Sequence, residues 1–153
     1  MYKRILAIDP GNIESGVVIW DGSNVILSGV FLNTTLNDAI LQRMYKYDIA
    51  LIENLTHQGR AKVGKEVFET ARYIGYLERC FENVSKYYQL ISRNDVKMHH
   101  CRTSKANDSD VRTALLKKYP KGNVKSPGVT YLVKYHAWQA LAIATYYSES
   151  HRL

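Results

Sequence analysis

Arg4-Ile5-Leu6-Ala7-Ile8-Asp9-Pro10-Gly11, near the start of the chain, decides the fold. A short run of Ile, Leu and Ala closed by Pro-Gly reads as a buried strand, and this one ends in a carboxylate. A second apolar run, Ile49-Ala50-Leu51-Ile52-Glu53-Asn54, ends the same way. A carboxylate at the end of a central strand is costly unless it is paired, hydrogen-bonded or bound to a cation. If the two strands are neighbours, Asp9 and Glu53 converge on one point. They then form a hard-oxygen site suited to Mg²⁺ or Mn²⁺.

Around these two runs the pattern alternates. Gly16-Val17-Val18-Ile19-Trp20 and the run from Val25 to Leu32 predict two further strands, joined by the tight turn Asp21-Gly22-Ser23-Asn24. Asp-Gly between apolar runs is a hairpin signal, so the first three strands form an antiparallel meander. A helix is expected over 36–45, then the Glu53 strand, then a polar loop over 54–64. Helical spacing returns over 65–86, with Val67, Ala71, Ile74, Leu77 and Phe81 on one face. Tyr88 to Ser92 makes a fifth strand. Residues 93–105 read as a basic, irregular stretch. Asn107 or Asp108 can cap a helix running to Lys118. Pro120, Gly122, Pro127 and Gly128 mark 120–133 as a flexible connection, and residues 135–149 form the last helix. The prediction is an α/β domain with a mixed five-stranded sheet flanked by helices, spanning residues 1–153.

Composition narrows the partners. The 153 residues carry 21 Lys and Arg against 14 Asp and Glu, a net charge of +7 that favours a polyanion, nucleic acid before membrane. Lys117, Lys118, Lys121, Lys125 and Lys134 fall in one stretch without an acid, and Arg60, Lys62 and Lys65 flank the loop after Glu53. These basic residues are read as contacts to a phosphate backbone. No apolar run reaches the roughly 20 residues of a membrane span, and a strand at the very start leaves no signal peptide, so a cytoplasmic location is expected. Cys80 and Cys101 lack metal-site spacing and read as reduced thiols. His99-His100-Cys101 has no companion ligand pair, so a structural role or a phosphate contact is expected there. Tyr73, Tyr76, Tyr87 and Tyr88 are assigned to core and subunit packing.

The final helix adds a third element to the site. His136 and Gln139 lie at i and i+3, on one face, while Ala137, Ala140 and Ala144 let the helix approach a sheet closely. His136 can then join the two strand-end carboxylates.

With Ile8-Asp9-Pro10-Gly11 followed by Gly16, the strand ending Ile52-Glu53, and the terminal His136-Ala137-Trp138-Gln139-Ala140-Leu141-Ala142-Ile143-Ala144, the chain resembles the RuvC Holliday-junction resolvases of the RNase H-like superfamily. The likeness is to the small versions carried by phages and their Gram-positive hosts. Val63-Gly64-Lys65-Glu66-Val67-Phe68-Glu69-Thr70 and Asp95-Val96-Lys97 fit the same family, and order and spacing match over essentially the whole chain.

The resemblance implies a homodimeric endonuclease that cuts branched DNA by phosphodiester hydrolysis. Two divalent ions, Mg²⁺ or Mn²⁺, would lie about 3.5–4 Å apart, one at each end of an in-line displacement. It assigns Asp9 as the bridging ligand, with Glu53 and His136 on opposite sides. The loop bearing His57, Gln58 and Arg60 would reach the junction centre. Two positions depart from the family. Gln139 stands where relatives carry an acid, and Asp108 stands where they often carry a catalytic Lys. Asp108 is therefore the nearest replacement for the missing acid, and Lys105 the candidate for the displaced positive charge at the scissile phosphate.

Three other readings remain open on the sequence. The chain could bind branched DNA without cutting it, its metal site disabled by Gln139. It could be another RNase H-like nuclease acting on RNA·DNA hybrids or structured RNA. A sugar-kinase or actin-like phosphate-binding fold would also use Asp-Pro-Gly, but it needs a second domain for which the chain has no room.

Overall fold

A computed structural model describes residues 4–56 and 62–151. It contains five strands, β1 (Ile5–Asp9), β2 (Glu14–Trp20), β3 (Val25–Leu32), β4 (Ile49–Asn54) and β5 (Tyr88–Ser92), and five helices. The helices are α1 (Asn33–Leu41), α2 (Lys65–Asn83), α3 (Arg93–Cys101), α4 (Asp108–Lys118) and α5 (Ala137–Ser150). The sheet order is β3-β2-β1-β4-β5. β1, β2 and β3 run antiparallel as the Asp-Gly turn requires, whereas β4 and β5 run parallel to β1. This is the expected α/β arrangement, a mixed five-stranded sheet flanked by helices.

Period-2 alternation distributes the strand residues between two cores. Leu6, Ile8, Val17, Ile19, Ala50 and Ile52 pack against α1 and α2. Ile5, Ala7, Val18, Ile49, Leu51 and Ile91 pack on the opposite face against α3, α4 and α5. Covered on both faces, β1 and β4 carry near-continuous apolar sequence. Each fully buried Leu or Ile contributes about 1.5–3 kcal/mol relative to exposure. Helix α5 lies deepest: Ala140, Leu141, Ala142, Ile143 and Ala144 are all buried, and a helix apolar all round belongs in the interior.

Several local expectations change. Residues 93–105 are not irregular, because Arg93–Cys101 is helical and stops at Arg102 in the left-handed region, φ 61°. Only Val96 of this helix is buried, so no apolar stripe announces it. Polar contacts to α5 hold it instead, with the His99 ring 2.7 Å from a Glu149 oxygen and the His100 ring 2.9 Å from the Ala142 carbonyl. Tertiary contacts rather than propensity decide such short helices.

Helix α1 begins earlier than expected, at Asn33, and ends at Leu41 before Arg43 adopts φ 55°. On α2 the buried face is Thr70, Tyr73, Ile74, Leu77, Cys80 and Phe81. Val67 and Ala71, expected on that face, are exposed. The 120–133 connection is a hydrogen-bonded turn. The Asn123 side chain accepts from the Lys125 and Ser126 amides, and buried Thr130 donates to the Tyr119 carbonyl. Asn107 caps α4 in a capping box with Asp110.

The α3–α4–α5 side is tied together at Glu149. Its carboxylate accepts from the Tyr119 hydroxyl at 2.7 Å and lies 2.6 Å from the Lys118 ammonium. Burial by itself would raise this carboxyl, but hydrogen bonds from Lys118, Tyr119 and His99 outweigh it and hold the group at about 2. A folded-state value below the ordinary 4.5 gives stability that is present above pH 4.5 and lost as the pH falls towards 2. Lys118 is half-exposed, so solvent reduces the effect. Glu149→Gln is expected to cost about 2 kcal/mol at pH 7. Its denaturant-unfolding curve should approach that of the wild type as the pH nears 2. A constant gap across that range would assign the loss to packing rather than charge.

Candidate active site

Register brings the two carboxylates together. Ile8 pairs with Ile52 across the parallel β1–β4 ladder, so Asp9 and Glu53 stand one step further on, side by side at the carboxyl ends of adjacent strands. Both share parity with the residues that face α5. Ligands of open α/β sheets bind at such strand ends, where the strand order reverses. Glu53 is 7% exposed, and the Asp9 side chain is also largely covered, at 14%.

The pair is under electrostatic stress. Burial raises both carboxyls, and the two face one another closely enough to share a proton. For Glu53, burial and then the hydrogen bond and charge of Asp9 outweigh the opposing pull of Arg93 and push the group up to about 9. Nearby Asp108 raises both further. Two desolvated carboxylates sharing one proton form a place where a cation can replace that proton.

The loop leaving Asp9 is pinned from behind by residues that carried no chemical signal in the sequence. The Ser15 hydroxyl donates to the Asn33 side-chain oxygen at 2.7 Å and accepts from the Gly11 amide at 3.3 Å. The Asn33 amide donates to the Gly11 carbonyl at 2.9 Å. Ser15 and Asn33 are both buried, so this small network fixes the Asp9-Pro10-Gly11 turn.

Gly16 places the last helix. It pairs with Asp9 across β1–β2, and a Cβ there would lie 2.3 Å from the His136 carbonyl oxygen. The start of α5 therefore rests directly on the backbone beside Asp9. His136 forms the cap of that helix rather than part of it. Its ring Nδ1 is 3.7 Å from an Asp9 oxygen, while the side chain is 67% exposed. Among the described residues no three His, Cys, Asp or Glu side chains cluster as a metal cage. Asp9 and Glu53 thus meet as expected, with His136 at the rim rather than locked between them.

Gln139 is buried, at 9% exposure, and lines a groove of about 640 Å³ together with Asp108, Arg112, Lys121, Lys134, Tyr135 and His136. Asp108 faces both this groove and Arg93, whose guanidinium it pairs with through Nη2. Arg93, absent from the sequence-derived site, is the main addition. It follows Ser92 at the end of β5, and Ser92 pairs with Asn54, so Arg93 emerges beside Glu53. Its Nε lies 3.8 Å from a Glu53 oxygen. Lys105 lines the adjoining groove with Arg93, Lys97 and Asp108, and not the carboxylate cleft. Among the described residues, Arg93 is the cation at the carboxylates.

Of the expected backbone-contact residues, Lys62, Lys65, Lys117, Lys121 and Lys125 are exposed, although Lys65 also pairs with Glu69 at 3.5 Å. Lys118 is engaged with Glu149. Lys134, with Lys121, lines the groove beside His136. His57, Gln58 and Arg60 lie outside the described residues. His99 and His100 have the structural role already described. Tyr73 is core, its hydroxyl 3.0 Å from the Asn37 side chain, and Tyr88 stacks on Phe81. Tyr76 and Tyr87 are exposed.

No protein-family model matches the sequence, and no curated protein is similar to it in sequence. Solved structures do match. Thermus thermophilus RuvC superposes with a TM-score of 0.70 at 14% identity, over 97% of this chain and 95% of that one. T. thermophilus RuvC in complex with Holliday junction substrate superposes with a TM-score of 0.72 at 12% identity, over 98% and 95%. At such identity the likeness concerns the backbone: this chain shares the fold of those RuvC structures, a mixed five-stranded sheet flanked by helices.

Proposed function

We propose that the chain is a metal-dependent endonuclease that resolves four-way and other branched DNA junctions by phosphodiester hydrolysis, acting as a homodimer. The observation that carries this reading is the buried Asp9–Glu53 carboxylate pair at the ends of adjacent parallel strands, set beside the groove that carries Arg112, Lys121 and Lys134. A resolvase fold that accommodates junction DNA in a structural neighbour supports it.

The donor set fits Mg²⁺ or Mn²⁺. Asp9 and Glu53 supply two hard, anionic oxygens, and Mg²⁺ characteristically takes one or two carboxylates and completes its shell with water and substrate phosphate. His136 is close enough to Asp9 to join by a side-chain rotation. A second ion has thinner support from the chain, because Gln139 is neutral and Asp108 is paired with Arg93. When bound, divalent metal supplies an activated water and polarises the phosphoryl oxygens. The protein's own part is to exchange the shared Asp9–Glu53 proton for that charge, to hold Asp9 through Ser15 and Asn33, and to guide the backbone along Lys121 and Lys134. Phe68 and Tyr76, exposed two turns apart on α2 with Arg72 between them, offer apolar side chains to a second copy.

Gln139 and the intrusion of Arg93 favour one competing reading, a junction-binding protein that does not cut. Substrate class is tested first by competition. Unlabelled four-way junction should displace labelled junction at least tenfold better than linear duplex or RNA·DNA hybrid of equal length. Affinity should also fall steeply with salt. A hybrid that competes best would move the assignment to an RNase H-type activity.

A further inference from the structure

Arg93 is the side chain common to two adjoining surfaces. It lines the cleft of about 80 Å³ that holds Asp9 and Glu53, and also the groove of Lys97 and Lys105. Its Nη2 is paired with Asp108 on the first turn of α4, and the Asp108 side chain is 57% exposed. Its Nε is buried without a hydrogen-bond partner among the described residues and stands 3.8 Å from Glu53, beyond hydrogen-bonding range. A buried donor left unpaired is costly and calls for an explanation. Guanidinium presents five donors in a planar fork that matches carboxylate and phosphate oxygens alike.

We propose that Arg93 is a phosphate clamp, which on substrate binding exchanges the solvated Asp108 carboxylate for a non-bridging oxygen of the backbone phosphate nearest Asp9 and Glu53. This rests on the DNA-junction reading given above. The exchange replaces one anionic acceptor by another, so the charge-assisted bond to Nη2 is conserved. The phosphate also brings a second oxygen within reach of the fork, which gives the unpaired Nε an acceptor. Asp108, released, remains in water, where a carboxylate costs nothing. Arg93 thus connects the basic groove to the carboxylate pair and sets which phosphate halts there. Lys105, further along the groove, meets a neighbouring phosphate.

The test pairs a protein change with a substrate change. Binding of a four-way junction is measured for wild type and Arg93→Ala in Ca²⁺, with native phosphates and with a neutral methylphosphonate placed singly at each position across the cleavage site. In the wild type, one position should lose about tenfold in affinity when its phosphate charge is removed. Arg93→Ala should bind native junction about tenfold more weakly and show no further loss at that position. Arg93→Lys, which keeps the charge but not the fork, should show an intermediate sensitivity. The comparison is made within each protein, so a general loss of fold quality cancels. If Arg93 only ties Glu53 to Asp108, the methylphosphonate penalty will be the same in wild type and Arg93→Ala, and the clamp is refuted while the junction reading stands. A wild-type chain that does not prefer the junction at all overturns the junction reading, and the clamp with it.

Discussion

Glu53→Gln should abolish junction cleavage, by about a thousandfold, and at the same time make the protein more stable at pH 8. The kinetic half follows from removing one charged ligand from the metal site, where Lewis-acid stabilisation is worth several kcal/mol, about 4 kcal/mol being a thousandfold in rate. The stability half follows from proton linkage. Glu53 rises from the ordinary 4.5 to about 9 in the folded chain, so between those values the folded state keeps a proton that the unfolded state releases. Stability therefore declines as the pH rises through that window. Gln mimics the protonated form and removes the decline. At pH 8 the variant should gain about 2 kcal/mol, or about 4–8 °C in Tm for a chain of this size, and at pH 4 the two proteins should coincide. Mg²⁺ should narrow the gap by stabilising the wild type alone. Thermal melts at both pH values, with and without Mg²⁺, check this. A variant that is less stable at pH 8 would mean that the pair is not stressed.

Gly16→Ala should destabilise the chain and disturb the site together. The added Cβ would lie 2.3 Å from the His136 oxygen, 2.4 Å from its carbonyl carbon and 2.9 Å from the Ala137 nitrogen. All three are main-chain atoms, so no side chain can rotate away, and α5 must lift from β2. Overpacking of this kind costs about 3 kcal/mol, which corresponds to about 6–12 °C in Tm. Because Gly16 pairs with Asp9, the shift also carries His136 away from the carboxylates, and cleavage should fall with stability. Gly75→Ala is the matched control. Its Cβ would meet nothing within 4 Å, and in mid-helix α2 the change should stabilise by up to about 1 kcal/mol. Equal melts for the two variants would show that α5 does not rest on Gly16.

The parts of this site that the sequence discloses are those written in strand periodicity. Asp9 and Glu53 each close an apolar run, and the parallel pairing of the two runs is enough to bring them together. Arg93 was hidden because it heads a segment with no apolar period. Only the β4–β5 register, with Ser92 opposite Asn54, shows that the next residue emerges beside Glu53. Helix α3 leaves no trace in the sequence for the same reason, since a Glu149 contact and a backbone carbonyl anchor it rather than a hydrophobic stripe. On α2 the period finds Ile74, Leu77 and Phe81 but does not separate Val67 and Ala71 from Thr70 and Tyr73, which fit it equally well. Tyr73 earns its buried place through a hydrogen bond to Asn37, which periodicity does not register. Ser15 and Asn33 are ordinary turn and cap residues by type, and only their distances reveal that they hold the Asp9 loop.

Cleavage of a labelled four-way junction in Mg²⁺ and in Mn²⁺, by wild type and by Asp9→Ala, tests the central claim most directly. Wild type should convert the junction into nicked duplexes with either ion and do nothing in EDTA. Asp9→Ala should bind the junction with affinity equal to or above that of the wild type and leave it intact. A wild type that binds the junction yet cuts in neither metal would make the chain a binding protein. An Asp9→Ala that cuts at the wild-type rate would place the chemistry elsewhere and contradict the site described for Asp9 and Glu53.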